Sequence, residues 1–241
     1  MDRLVYLSMS GAKATLQRQD VLAHNLANAS TPGFRAEMAA FRSVPVRGDG
    51  ASTRAYALES TIGHDDRAGP VQTTGRELDV AMSGRSWLAV QGADGTEAYT
   101  RGGALEVDPE GRLVTATGRL VLGDGGPVTI PAGARVEIAS DGTISATVGN
   151  GRPQQAGRLK LVTPEAPLTR GTDGLFRAAD GDLPADPQAR VMSGALEGSN
   201  VSPVETMVAM IAAGRQFEQQ MKSLQTAEQR EQAAAKLLAP Q

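Results

Sequence analysis

Apolar positions along this chain follow two different periods. Over residues 3–29 they recur in helical steps, with Val5, Met9, Ala12, Leu16, Ala23 and Leu26 alternating spacings of four and three and Gln19 breaking the run. Lys13, Arg18 and Asp20 fall off that stripe. Residues 203–239 repeat the pattern, with Met210, Gly214, Phe217, Met221 and Leu224 as the seam and Met207 and Ile211 beside it. The pattern predicts a long amphipathic helix at each end of the chain.

The boundaries of these helices are written locally. Ser202-Pro203-Val204-Glu205 places a capping serine, a proline at the first helical position and a glutamate three residues after the cap. The amino-terminal helix is stopped by Thr31-Pro32-Gly33. Asn25 and Asn28 fall in its last turns, where an amide can bond terminal carbonyls or a neighbouring chain. The two helices can pair with each other as a hairpin, and a hairpin of this length still exposes an apolar edge.

Between the helices the period changes from helix to strand. Leu78, Val80 and Met82 alternate with polar or small residues, and Trp87-Leu88-Ala89-Val90 follows. Leu105 and Val107 enter Asp108-Pro109-Glu110-Gly111 and Leu113 leaves it, and Ser140-Asp141-Gly142-Thr143 joins Val136 and Ile138 to Ile144, Ala146 and Val148. Short strands with regular turns predict an antiparallel barrel or sandwich over residues 76–191. Residues 36–75 are rich in Gly, Ser, Thr and Arg and read as an extended connector. The expected class is mainly β with terminal α-helices, the antiparallel β domain inserted between helices that form a coiled-coil-like pair. Residues 1–35 and 192–241 would make the helical part, the latter with a return strand.

Composition narrows the function. A net charge of −3 with mixed signs gives no nucleic-acid footprint, and no apolar run is long enough for a membrane span. The opening Met1-Asp2-Arg3-Leu4-Val5-Tyr6 lacks the features of a cleaved secretory signal. With no cysteine there is no thiol nucleophile and no disulfide, and two histidines, His24 and His64, are too few for a histidine-rich metal site.

The search for chemistry returns turns rather than sites. Gly123-Asp124-Gly125-Gly126-Pro127 lacks the lysine and following helix of a phosphate loop. His64-Asp65-Asp66 reads as a solvated loop rather than a set of metal ligands. Trp87 reads as core, and no serine carries a triad signature. No catalytic, cofactor or metal residue is expected.

Three ordered stretches carry a resemblance. Residues 19–35, from Gln19-Asp20-Val21 through Asn25-Leu26-Ala27-Asn28 to Thr31-Pro32-Gly33-Phe34-Arg35, form the first. The second is Leu78-Asp79-Val80-Ala81-Met82 with Trp87-Leu88-Ala89-Val90 and Tyr99-Thr100-Arg101. The third is Gly194-Ala195-Leu196-Glu197-Gly198-Ser199-Asn200-Val201 with Pro203-Val204-Glu205, Met210-Ile211 and Arg215-Gln216-Phe217-Glu218. Together they resemble the axial proteins of the bacterial flagellar rod and hook. The first departs from the usual paired asparagines, because His24 stands where the first would be.

That resemblance implies a non-enzymatic subunit of the basal-body rod. Its opening residues point to the proximal rod, with a distal-rod or hook-type subunit, or an envelope binding module oligomerised by its helices, as alternatives. It implies export through the flagellar type III apparatus without a cleaved signal and assembly in the periplasmic rod. The partners would be other rod proteins and copies of itself, with no nucleic acid, no membrane insertion and no cofactor. Val5, Met9, Leu16, Leu26, Met207, Met210, Ile211, Phe217, Met221 and Leu224 are the expected packing residues. Asn25, Asn28 and Asn200 are expected to fix chain turns or neighbour contacts.

Overall fold

A computed structural model describes the backbone of residues 3–45 and 55–238 and the side chains of residues 8–40, 44 and 63–230 among them. It is mainly β, in small antiparallel sheets, with one long helix near each end. The chain folds as two units. One holds the terminal segments with residues 36–65, and the other holds residues 30–35 and 66–200.

In the first unit, helix α1 spans Arg3–Ala27 and helix α2 spans Pro203–Leu238. The predicted start of α2 forms: the Glu205 amide faces Ser202 Oγ at 3.5 Å, and the Thr206 amide donates to the Ser202 carbonyl at 3.0 Å. At the end of α1 the Asn28 side chain donates to the His24 carbonyl at 2.9 Å, satisfying one of the acceptors a helix leaves open. The helices pack against each other antiparallel. Gly11 lies against Gln220, and Gln19 lies against Gly214.

Residues 36–75, expected as an extended connector, are instead partly paired. Glu37–Pro45 and Ala55–His64 form an antiparallel ribbon with a bulge at Met38 and Ala39, and contacts with α1 join it to the helices. Pairing gives each strand's amides and carbonyls a partner that a lone extended segment would have to find in water. His64 closes the ribbon and is buried, so the reading of a solvated loop fails for that residue, while Asp65 is half-buried and Asp66 exposed beyond the strand.

The second unit is built around Trp87–Gln91, a strand buried on both faces. Leu88 and Val90 enter a large aliphatic core with Leu105, Leu113, Ile144 and Leu161. Trp87 and Ala89 enter a smaller one with Tyr99, Val162 and Phe176. Side chains alternate along a strand, so a continuous apolar run marks a strand with core on both sides. This strand sits second in a five-stranded antiparallel sheet ordered Leu161–Val162, Trp87–Gln91, Glu97–Thr100, Phe176–Arg177, Thr169–Arg170. Both predicted hairpins form, Leu105–Val107 with Leu113–Thr115 and Ala134–Ile138 with Thr143–Val148.

The boundary between the units differs from the expected one. Residues 30–35 and 192–200 belong with the β part rather than with the helices. Val191–Ser193 pairs with Val80–Met82 and Ala195–Glu197 with Val71–Thr73, and a cluster of buried charges joins Arg35 to Glu197 beside them.

Candidate assembly surface

The inner seam of the helix pair mixes small and polar residues with large apolar ones. On α1 it runs Ser8, Ala12, Thr15, Gln19, Leu22, Leu26, and on α2 Thr206, Met210, Ala213, Phe217, Gln220, Leu224, all buried or half-buried. Both runs alternate four and three, the spacing of a coiled-coil seam. Short side chains at Ala12, Thr15 and Ala213 let the two axes approach.

The expected packing residues therefore divide. Met210, Phe217, Leu224 and Leu26 turn inward, whereas Met9, Leu16, Met207, Ile211 and Met221 are exposed. The side chain of Val5 lies outside the described residues. At Gly214, a predicted seam position, an added Cβ would meet the Gln19 side chain at 3.5 Å. In the first turns of α2, Val204, Met207, Val208 and Ile211 form an outer apolar stripe that is 51–72% exposed. Helical positions three and four apart share a face, so these four side chains make one patch.

The asparagines act within the chain. Asn25 is buried, its Nδ2 donating to the Glu37 carbonyl at 2.9 Å and its Oδ1 accepting from the Glu37 amide at 2.8 Å. This pins the end of α1 to the start of the ribbon. Asn200 donates from Nδ2 to the Arg67 carbonyl at 2.9 Å, and its amide donates to the Phe34 carbonyl at 3.3 Å.

Beneath Asn200 lies a feature that sequence reasoning missed. Glu197, 1% exposed, sits between two buried arginines. Its Oε1 accepts from Arg35 Nη2 at 2.7 Å and from the Gly69 amide at 3.0 Å. Its Oε2 accepts from Arg101 Nε at 2.8 Å and from Arg101 Nη2. Arg101 also donates to the carbonyls of Met82, Gly84 and Ser86. Burial pushes the Arg35 guanidinium below its ordinary value, Glu197 opposes that shift, and Arg101 adds to it. Arg35, Arg101 and Glu197 each come from a different one of the three quoted motifs. Their signal was a charge in every motif.

The segment before Arg35 is gripped along its length. The Gly33 amide donates to the Glu197 carbonyl at 2.7 Å, and the Arg170 guanidinium lies 4.4 Å from the centre of the Phe34 ring. Gly33 has φ +71°, and a Cβ there would overlap the Arg101 carbonyl carbon and the Gly102 nitrogen. Only glycine fits such a position.

Among the described residues, no cluster of three His, Asp or Glu side chains could hold a metal ion, and no helix is long and apolar enough to cross a membrane. A groove of about 590 Å³ in the β unit is lined by Glu97, Arg158, Lys160 and Asp186 among others. Its Lys160 is paired with Glu97 at 2.6 Å.

Comparison with known proteins identifies the setting. Residues 6–35 match the family described as flagella basal body rod protein. Residues 81–146 match the flagellar hook protein FlgE/F/G D1 domain, and residues 192–237 the flagellar basal body rod FlgEFG protein C-terminal family. The flagellar basal-body rod protein FlgF of Salmonella typhimurium is 49% identical over 249 residues, covering 99% of each chain. The chain belongs to the flagellar basal-body rod protein family. FlgF of Escherichia coli is 48% identical over 99% of each chain, and the rod protein FlgG of Bacillus subtilis is 32% identical over 95% of this chain and 96% of its own. In this rod-family chain the first and third matched stretches cover nearly all of the two helices, and their inner ends supply Arg35 and Glu197.

Proposed function

We propose that this chain is a structural, non-enzymatic subunit of the bacterial flagellar basal body, in the proximal part of the rod. It polymerises through its terminal helices and passes torque along the axis. The observation that carries this reading is the outer stripe of α2. Val204, Met207, Val208 and Ile211 are apolar, contiguous and exposed in a chain similar along its whole length to rod proteins. Open, repeating contacts between unlike faces build a helical lattice rather than a closed oligomer.

The buried charge cluster suits a torque-bearing subunit. It holds the segments next to both helices on the β core, so load entering through a helix meets a fixed anchor. On this reading the chain leaves the cytoplasm through the flagellum's own type III apparatus, without a cleaved leader, and assembles in the periplasm with other rod proteins and copies of itself.

The test is Ile211→Asp in cells that lack the native chain. Ile211 is 60% exposed, so the variant should fold with an unchanged β unit yet be missing from purified basal bodies, leaving the cells non-motile. Normal incorporation and swimming of that variant would overturn the assembly reading.

A further inference from the structure

Four asparagines occur in the chain, and three of them are held. Asn25 is buried with both carboxamide atoms bonded to Glu37. Asn28 donates to the His24 carbonyl, and Asn200 donates to the Arg67 carbonyl. Leu26, Ala29 and Val201 follow them, so a side chain crowds the next main-chain nitrogen in each case. Asn150 differs on every count. It is exposed, no hydrogen bond among the described residues holds its carboxamide, and Gly151 follows it.

The surrounding chain is a tight turn. Val148-Gly149-Asn150-Gly151 leaves the strand Thr143–Val148 with Gly149 at φ +57°, and Gln154–Arg158 returns as the edge of a three-stranded sheet. The last residue pair between these two strands is Ala146 with Gln154. Past it, among the described residues, a single hydrogen bond closes the loop, from the Gly151 amide to the Val148 carbonyl at 3.0 Å. Exposed turns of this kind open locally while the core stays folded. We infer that Asn150 is a site of spontaneous deamidation, the one asparagine of this chain that the fold leaves open to it.

When the turn opens, the Gly151 nitrogen loses its proton to hydroxide and attacks Cγ of Asn150. The bond from nitrogen to Cγ forms, the bond from Cγ to Nδ2 breaks, and ammonia leaves. Water then opens the cyclic imide. Breaking its bond from nitrogen to Cγ gives aspartate, and breaking its bond from nitrogen to the Asn150 main-chain carbonyl carbon gives isoaspartate. No oxidant or reductant takes part. Either product adds one negative charge to the chain's net −3. The isoaspartyl form also lengthens the main chain by one carbon, so the Gly151 amide no longer closes the turn on Val148. The edge strand Gln154–Arg158 should loosen, while Thr143–Val148 keeps its other partner, Ala134–Ile138.

The test uses the purified full chain, folded or in urea, held at about pH 9 in water enriched in heavy oxygen and mapped by mass spectrometry of its peptides. In the folded chain heavy oxygen should enter at residue 150 well before Asn25, Asn28 and Asn200, with isoaspartate among the products. Because one hydrogen bond guards the Gly151 amide, the folded chain should lag the urea-unfolded chain at residue 150 by less than about tenfold. A lag of about tenfold or more overturns the inference, as does entry at any other asparagine of the folded chain as early as at Asn150. Label at residue 150 without isoaspartate would mean direct hydrolysis of the carboxamide and overturns it too. These readouts do not depend on rod assembly, so their failure leaves the assembly reading untouched.

Discussion

Arg35 and Glu197 meet in a buried ion pair at 2.7 Å, joining the end of the amino-terminal signature to the start of the carboxy-terminal one. Arg101 of the β core bonds the other carboxylate oxygen, so one glutamate serves two cations. Removing the glutamate strands two buried like charges, whereas removing Arg35 leaves a balanced Glu197–Arg101 pair. Glu197→Ala should therefore destabilise the β unit by about 3–5 kcal/mol, and Arg35→Met by distinctly less. Trp87, the single tryptophan, is buried in that unit and reports its unfolding in urea. Equal midpoints for the two variants would contradict this account of the cluster.

Two glycines should respond in opposite ways to the same change. Gly33→Ala meets both a left-handed backbone and the Arg101 main chain, so it should unfold or loosen the 30–35 segment. Gly214→Ala lies inside α2, with its new methyl in ordinary contact with Gln19 Nε2 at 3.5 Å. It should raise helix stability by about 1 kcal/mol. Hydrogen exchange at the Gly33 amide and thermal melting of helical circular dichroism separate the cases. Loss of helix stability in Gly214→Ala would mean that the inner seam is tighter than described.

Acid should weaken the β unit through its turns. Hydrogen bonds from the Thr96 hydroxyl and amide hold the Asp94 carboxyl below its ordinary value, those from the Thr143 amide and hydroxyl do so for Asp141, and the Thr163 hydroxyl leads for Asp186. A folded-state value below the unfolded one gives stability that is present above the ordinary carboxylate range and lost as pH falls through the lowered values. Urea midpoints followed by Trp87 should drop between about pH 4 and about pH 2, and less steeply in Thr143→Val. A level profile over that range would count against it.

Alkali should act through Tyr99. Burial raises its hydroxyl above the ordinary 10.0. The hydroxyl donates to Glu97 Oε1 at 2.8 Å and accepts from the Leu183 amide at 2.6 Å. The unfolded chain releases this proton first, so the contribution is complete below about pH 10 and declines as pH rises above it. Tyr99→Phe should be less stable at neutral pH and should lose less of its stability between about pH 9 and about pH 11. The same alkaline loss in both proteins would show that another group is responsible.

Much of this fold was readable from period and punctuation. Ser202-Pro203-Val204-Glu205 marked the start of α2, and Trp87-Leu88-Ala89-Val90 marked a core strand. The seam was harder, because α2 carries two apolar stripes. A reading that weighs hydrophobicity picks large side chains, and so merged inward Met210, Phe217 and Leu224 with outward Met207, Ile211 and Met221. Thr206, Ala213 and Gln220, which complete the inner contact, carry little hydrophobic signal. The charge cluster was hidden for a related reason. An arginine reads as surface until a carboxylate far away in the chain is known to meet it.

The most direct test of the central claim is the composition of the rod itself. Basal bodies purified in detergent from cells producing the chain should retain it through sucrose-gradient sedimentation, with mass spectrometry finding it at a fixed ratio to the other rod proteins. A chain absent from those particles, and recovered instead as a closed homodimer or homotrimer, would contradict the account.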